Sequence, residues 1–338
     1  MPRSVPLLLA LLLALLPAMA APVAARAQPP MLESPLRCVN GQDCFIQNYL
    51  DHDPGPGVRD YACGPLGYDG HTGTDFRVLD PEALRAGIPV LAAAPGVVRA
   101  VREGEEDARP GRQPDITGRE AGNAVALDHG DGWETQYSHL RQGSIRVAPG
   151  QKVEAGRVLG LVGLSGRTQF PHVELAVRHD GKPVDPFRGL AGGPDCGPGK
   201  APLWSPEALA ALAYAPSALA GAGFAAQPPD QAALSAEGPE VDRLTVLAPA
   251  LVFWVRALGV RAGDELSLRL TGPDGTVLAE HAAPLDRNQA QRLVYIGKRR
   301  RVAPWPVGTY TGEFSLARSN GTGKRTTVLE TVRILEIR

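Results

Sequence analysis

Five residues of this chain have types and spacings that could do chemistry: His71 and Asp75 in GYDGHTGTDF, His139 in TQYSHL, and His172 and Glu174 in FPHVELAV. Imidazole nitrogens and carboxylate oxygens are donors for zinc-type sites, and imidazole also exchanges protons near neutral pH. Read as a strand, HVELAV sends His172 and Glu174 to one face and Val173 and Leu175 to the other. A histidine and a carboxylate then share a face and can form half of a metal site. The other histidines invite plainer readings: His52, His179 and His281 as solvated side chains, and His129 in LDHGDG as part of hairpin-turn chemistry. Taken alone, His139 reads as a core histidine with Tyr137 as its same-face neighbour, and Trp133 and Trp204 read as core or rim residues.

The elements that must position these groups are strands. From about Asp69 to Phe187 short β-branched and apolar runs recur (PVLAAAPGVVRAV, NAVALDHG, ETQYSHL, KVEAGRVLGLVG, HVELAVRHDGKPVDP), separated by Gly, Asp and Pro at hairpin spacing, with HGDGW and HDGKP as the clearest turns. Residues 102–123 mix charge with Pro and Gly and are long for a hairpin connection, which predicts a loop that shapes access to a groove. From about residue 189 the composition shifts to Ala, Pro and Gly, with one short helix signalled by Ser205, Pro206 and Glu207. Strand patterns return from about Arg243, as expected of a small antiparallel sandwich without a cluster of acids, bases or nucleophiles. The expected fold class is therefore mainly β, with these bounds: 1–27 a signal peptide, 28–67 a disulfide-containing segment, 68–188 the domain with the chemistry, 189–240 a linker, and 241–338 an accessory β-sandwich.

The N-terminus, MPRSVPLLLALLLALLPAMAAPVAARAQPP, has one early Arg3, an apolar run from Val5 to Leu16, and A-x-A arrangements at Ala18–Ala20 and Ala25–Ala27. That run is too short to cross a bilayer and precedes cleavage-site chemistry, so it reads as a secretory signal and the protein as exported, to the periplasm or the extracellular space. No later stretch reads as a membrane span. Lys plus Arg number 35 against 36 Asp plus Glu, a formal charge of −1 that gives no reason to expect nucleic acid as a partner. Export makes the four cysteines disulfide candidates with three possible pairings. Spacing favours Cys38 with Cys44, leaving Cys63 with Cys196, and no C-x-x-C spacing supports a cysteine metal site.

The ordered set of motifs between residues 68 and 187 resembles the lysostaphin- or LytM-type zinc metalloendopeptidases, whose members cut peptide bonds in bacterial cell-wall peptidoglycan. The resemblance rests on H-x-x-x-D at His71 and Asp75, then GIPVLAAAPGVVRAV, GNAVALDHGDGWETQYSHL, VAPGQKVEAGRVLGLVGLSGRT and PHVELAVRHDGKPVDP, in that order. It implies a LytM-like antiparallel sheet, with His71 and Asp75 as zinc ligands and His139 and His172 as assisting catalytic histidines. Glu174 stands where the family has its third ligand, the second histidine of H-x-H. The implied function is peptidoglycan hydrolysis with Zn2+ as cofactor and peptidoglycan peptide as substrate. The alternative is a degenerate LytM-like module that binds peptidoglycan or activates another cell-wall hydrolase.

Overall fold

Ten strands build the first half of the chain: β1 (Cys44–Asn48), β2 (Thr74–Val78), β3 (Pro89–Leu91), β4 (Gly96–Arg102), β5 (Asn123–Gly130), β6 (Trp133–Leu140), β7 (Lys152–Val153), β8 (Val158–Leu161), β9 (His172–His179) and β10 (Lys182–Pro183). A short helix, α1 (Pro81–Ala86), lies between β2 and β3. The computed structural model describes residues 28–107, 116–193, 195–229, 243–321 and 323–338. The expected signal sequence and residues 108–115 of the long loop lie outside the described residues.

The main sheet runs β1-β2-β9-β6-β5-β4-β7, with β10 on β9, while β3 and β8 form a separate pair. The turns follow their sequences. Asp131 and Gly132, between β5 and β6, have φ of 51° and 80°, and Asp180 and Gly181, between β9 and β10, have 50° and 75°. Positive φ at both central positions is the geometry that Asp-Gly tolerates best and that matches the twist of a hairpin. One face of the sheet is apolar: Phe76, Val173, Leu175, Val177 and Tyr137 are all buried in one core. The opposite face carries Asp75 and Glu174, which face each other directly across β2 and β9.

The segment before β2 belongs to this same body. Leu32, Leu36, Phe45, Ile46 and Tyr49 enter the core, and β1 pairs antiparallel with β2. So does the chain after β10, through Phe187, Leu203 and Trp204. Helix α2 (Pro206–Ala211) starts where Ser205 Oγ accepts a hydrogen bond from the Ala208 amide at 3.1 Å. Both disulfides pair as spacing favoured: Cys38 with Cys44, and Cys63 with Cys196 across 133 residues.

The rest of the chain forms two further sheets from β11 (Ala218–Ala225), β12 (Arg243–Leu244), β13 (Ala250–Val260), β14 (Glu265–Thr271), β15 (Val277–Pro284), β16 (Gln289–Arg299), β17 (Gly308–Ser319) and β18 (Arg325–Ile337). Their orders are β11-β13-β16 and β12-β18-β17-β14-β15, and Phe253, Val255, Leu268, Phe314 and Leu335 share a core of their own. Strand β11 falls within the stretch expected to be linker. Its sequence, ALAGAGFA, carries almost no strand propensity, and the small residues are there for packing. A Cβ on Gly221 would lie 3.1 Å from the Trp254 ring of β13. Among the described residues no helix is long and apolar enough to cross a membrane.

The Cys63–Cys196 link closes most of the first body into one loop, so its removal frees the denatured chain far more than the folded one. Replacing both residues with serine is expected to lower unfolding stability by about 2–5 kcal/mol, read from urea midpoints under non-reducing conditions. An unchanged midpoint would show that the link adds nothing to the fold.

Candidate metal centre

His71, Asp75 and Glu174 come together from three directions. His71 ends the turn before β2, its amide bonded to the Tyr68 carbonyl, Asp75 lies on β2 and Glu174 on β9. His71 Nε2 lies 3.2 Å from Asp75 Oδ1 and 3.8 Å from Glu174 Oε1. One donor atom from each residue falls within 4.8 Å of the others, the spacing that a single ion requires. His71 Nε2 and Asp75 Oδ1 are buried and, among the described residues, have no hydrogen-bond partner. Two inward-facing orphan atoms of this kind fit a divalent ion.

The groups behind the donors orient them. His71 Nδ1 donates to the Tyr49 carbonyl at 3.0 Å, because a carbonyl can only accept, and Nε2 is left facing the cluster. Asn48 Nδ2 donates to Asp75 Oδ2 at 2.7 Å, which turns Oδ1 inward. Glu174 fits because Gly73 has no side chain: a Cβ there would stand 2.6 Å from Glu174 Oε1.

The two remaining histidines are held in the same manner. His139 Nδ1 donates to the Ser165 carbonyl at 2.8 Å and His172 Nδ1 to the Phe170 carbonyl at 2.9 Å. Their Nε2 atoms face the cluster, that of His139 lying 3.5 Å from Glu174 Oε2 and that of His172 lying 3.7 Å from Asp75 Oδ1. Strict alternation along β6 would send His139 to the core with Tyr137. Instead its backbone is left-handed, with φ of 63°, and this re-aims the ring onto the cluster face. Such a conformation costs about 1–3 kcal/mol in a non-glycine residue and is characteristic of functional sites.

Electrostatics separate the imidazoles. Burial opposes charge on His71, but Asp75, the Tyr49 carbonyl and Glu174 outweigh it and raise the ring to about 9. Burial likewise opposes charge on His139, yet its contact with Glu174 raises it. His172 goes the other way: burial, helped by the neighbouring His139, lowers it to about 4 in spite of Asp75. Both carboxylates are lowered although burial pushes them up, Asp75 by His172 and His71 and Glu174 chiefly by its bond to His139. The arrangement thus sets two ionised carboxylates around a His71 ring whose Nε2 proton a metal ion would displace, beside a neutral imidazole and a carboxylate-paired one.

These five residues line a cavity of about 530 Å3. Because β2 and β9 are antiparallel, the segments leading into them, with Tyr68 on one and Arg167 to Phe170 on the other, rise at opposite ends of the strands and wall the cavity. The expected access loop meets this second wall, where the Arg167 amide donates to the Glu120 carbonyl at 2.7 Å. Some plainer readings of the sequence are corrected. His52 is not simply solvated but bonded to Asp185 at 2.6 Å, and His129 bridges the Pro95 carbonyl and Thr135 Oγ1. Sequence reasoning missed Asn48, Gly73, the Tyr49 and Ser165 carbonyls and Thr168, which lies 3.1 Å from His172 Nδ1. A polar Asn48 at the end of the run CFIQN was the one visible signal.

Residues 69–186 match Peptidase family M23. This stretch resembles an M23 peptidase domain. Over 118 residues it is 36% identical to the DD-carboxypeptidase/endopeptidase Mpg of Neisseria meningitidis, an alignment covering 34% of this chain and 22% of that protein. Over 120 residues it is 37% identical to the peptidoglycan DD-endopeptidase ShyA of Vibrio cholerae, covering 35% and 22%. The chain therefore spans about a fifth of the length of these curated relatives. A crystal structure of a zinc-containing peptidase from Vibrio cholerae matches with a TM-score of 0.28 and 26% identity, over 48% of this chain and 41% of that one.

Asn48 orients Asp75 through its hydrogen bond, so Asn48→Ala is expected to weaken zinc binding about 10–100-fold while the circular dichroism spectrum stays native. Titration with a competing chelator measures this. Unaltered affinity would mean that Asp75 does not hold the ion.

Proposed function

We propose that this chain is an exported, zinc-dependent metalloendopeptidase that cleaves peptide bonds of bacterial peptidoglycan, with residues 68–188 as its peptidase domain and 241–338 as an accessory β-sandwich. The observation that carries the reading is the convergence of His71 Nε2, Asp75 Oδ1 and the Glu174 carboxylate, two of them buried without partners. The names of the relatives, a peptidoglycan DD-endopeptidase and a DD-carboxypeptidase/endopeptidase, support the substrate class. They also support an extracytoplasmic site of action, in keeping with the signal-like N-terminus.

His71, Asp75 and Glu174 would hold the ion. Bound zinc supplies Lewis-acid polarisation and an acidified water, and a donor set with two carboxylates moderates both. The protein's own groups then divide the proton work. His172, neutral at physiological pH with Nδ1 tied to the Phe170 carbonyl, presents Nε2 as the base that accepts a proton. His139, whose Nε2 lies against Glu174, is biased toward its protonated form and is placed to donate to a developing oxyanion. Tyr68, its ring 4.6 Å from that of His71, shields the cluster on the opposite wall.

One observation favours a second reading. Glu174 replaces a histidine, and its second oxygen engages His139, an arrangement that can hold back the imidazole needed for catalysis. In that reading the M23 domain binds peptidoglycan through the same groove or activates another cell-wall hydrolase.

Zinc occupancy and product release from cross-linked sacculi, measured on the same preparations, separate the two readings. The native protein is expected to bind zinc and generate new peptide termini. His71→Ala and Asp75→Ala should lose both while remaining folded, and Glu174→Gln should bind zinc at least about tenfold more weakly. Full occupancy in any of the three variants would place the metal elsewhere. A native protein that binds zinc and sacculi but releases nothing would support the second reading.

A further inference from the structure

Charge is divided unevenly along the chain. Residues 243–338, from β12 onward, hold 15 Lys plus Arg against 8 Asp plus Glu, a formal +7, which leaves −8 for the rest of a chain whose total is −1. Asymmetry of this kind directs attention to an anionic partner for the basic part. The excess gathers in one place, because Lys298, Arg299, Arg300 and Arg301 follow one another at the end of β16 and the start of the loop to β17. None of the four forms an ion pair with a carboxylate among the described residues, although other arginines of these sheets do. All four line a cavity of about 300 Å3 that has Trp305 and Tyr310 in its wall. Asp274 also lines it, but both of its oxygens accept from Thr276, at 3.0 and 2.8 Å.

The loop is anchored, and its anchors hold apolar side chains out into solvent. The Arg300 amide donates to the Pro249 carbonyl and the Trp305 amide to the Val246 carbonyl, both at 2.9 Å, while Trp305 Nε1 donates to the Ala248 carbonyl at 2.9 Å. The Tyr310 hydroxyl donates to the Pro306 carbonyl at 2.9 Å, and a Cβ on Gly308 would stand 2.8 Å from Pro273. Val302, between the first two anchors, is nevertheless 90% exposed, and Val307 beyond them is 69% exposed. Arg300 Nε is buried and has no hydrogen-bond partner among the described residues. Unpaired cations beside outward valines match the two layers of an anionic bilayer surface, its headgroup phosphates and the apolar zone beneath them. A soluble polyanion would satisfy the cations and leave the valines in water. Strand β16 starts beside the metal-centre cavity, at Ala290, and ends at this loop, so at about 3.3 Å per residue the two lie about 30 Å apart along it.

We propose that the segment from Lys298 to Val307 is a docking loop for a membrane surface bearing anionic phosphate headgroups. Lys298, Arg299 and Arg301 engage the phosphates, and Val302 and Val307 enter the interfacial layer. The contact is peripheral and reversible, because four cations and two valines supply far less than a membrane-spanning segment does. It lies at the opposite end of β16 from the metal-centre cavity, so docking leaves that cavity open. The proposal does not depend on the peptidase reading.

The test is co-sedimentation of the full chain with vesicles of phosphatidylcholine alone and with vesicles of equal parts phosphatidylcholine and phosphatidylglycerol. Binding to the anionic vesicles is expected to be at least about tenfold tighter and to fall as salt is added. The triple variant Lys298→Gln, Arg299→Gln, Arg301→Gln should bind them at least about 20-fold more weakly. Val302→Ser, which keeps every charge, should weaken binding about threefold or more. A control triple on the same sheets, Arg287→Gln, Arg292→Gln, Lys324→Gln, removes equal charge elsewhere and should stay within about threefold of the native chain. Circular dichroism confirms that each variant is folded. Equal binding to both kinds of vesicle, no binding to either, or an equal loss in the two triple variants overturns the proposal. Displacement by soluble polyphosphate together with unchanged vesicle binding of Val302→Ser would make the loop a site for an anionic polymer and overturn it as well.

Discussion

The register between β2 and β9 is the constraint on which the rest of the site depends. It places Asp75 directly opposite Glu174 and Arg77 opposite His172, so two carboxylates and an imidazole share one face while Phe76, Val173 and Leu175 share the other. A slip of one residue would bury the charges and expose the core side chains, a change that no compensating contact could offset. The hydrophobic face thereby enforces the geometry of the polar one. Two carboxylates so close together are tolerable only with positive charge nearby, and His71 and His139 lie within reach of them to supply it.

Around this pair, backbone carbonyls fix the chemistry of the imidazoles. Tyr49, Ser165 and Phe170 each hold one Nδ1, which determines the tautomer and turns every Nε2 inward. The same device yields different electrostatics. His139 lies against Glu174 and is raised, whereas His172 is deeper, beside another imidazole, and is lowered. Glu174 therefore does more than add a carboxylate to the cluster, because its second oxygen lies against His139 and raises it.

The C-terminal sheets reach the cavity through Ala290. Their contact runs through Gln291 and Arg77 to Phe170, whose ring lies 4.7 Å from that of His172. One continuous set of side chains thus links the C-terminal sheets to the cavity wall.

Much of this protein is legible in one dimension. The period-2 alternation of HVELAV and the Asp-Gly turns indicated a mainly β fold, because strand periodicity and turn chemistry are local properties, while the resemblance carried by the ordered motifs singled out His71, Asp75, His139, His172 and Glu174. The helix cap at Ser205 and the Cys38–Cys44 pair could be read for the same reason, and Cys63–Cys196 followed as the pair left over. Tertiary structure alone decided the rest. Alternation misplaces His139, whose left-handed φ is imposed by the packing around Ser165 and Ala121. It cannot show that Gly73 makes room for Glu174, that ALAGAGFA is a strand lying under Trp254, or that Gln291 reaches Arg77 from 214 residues away. Those features depend on which surfaces meet once the chain has folded, and composition along a segment carries no record of the partner it will meet.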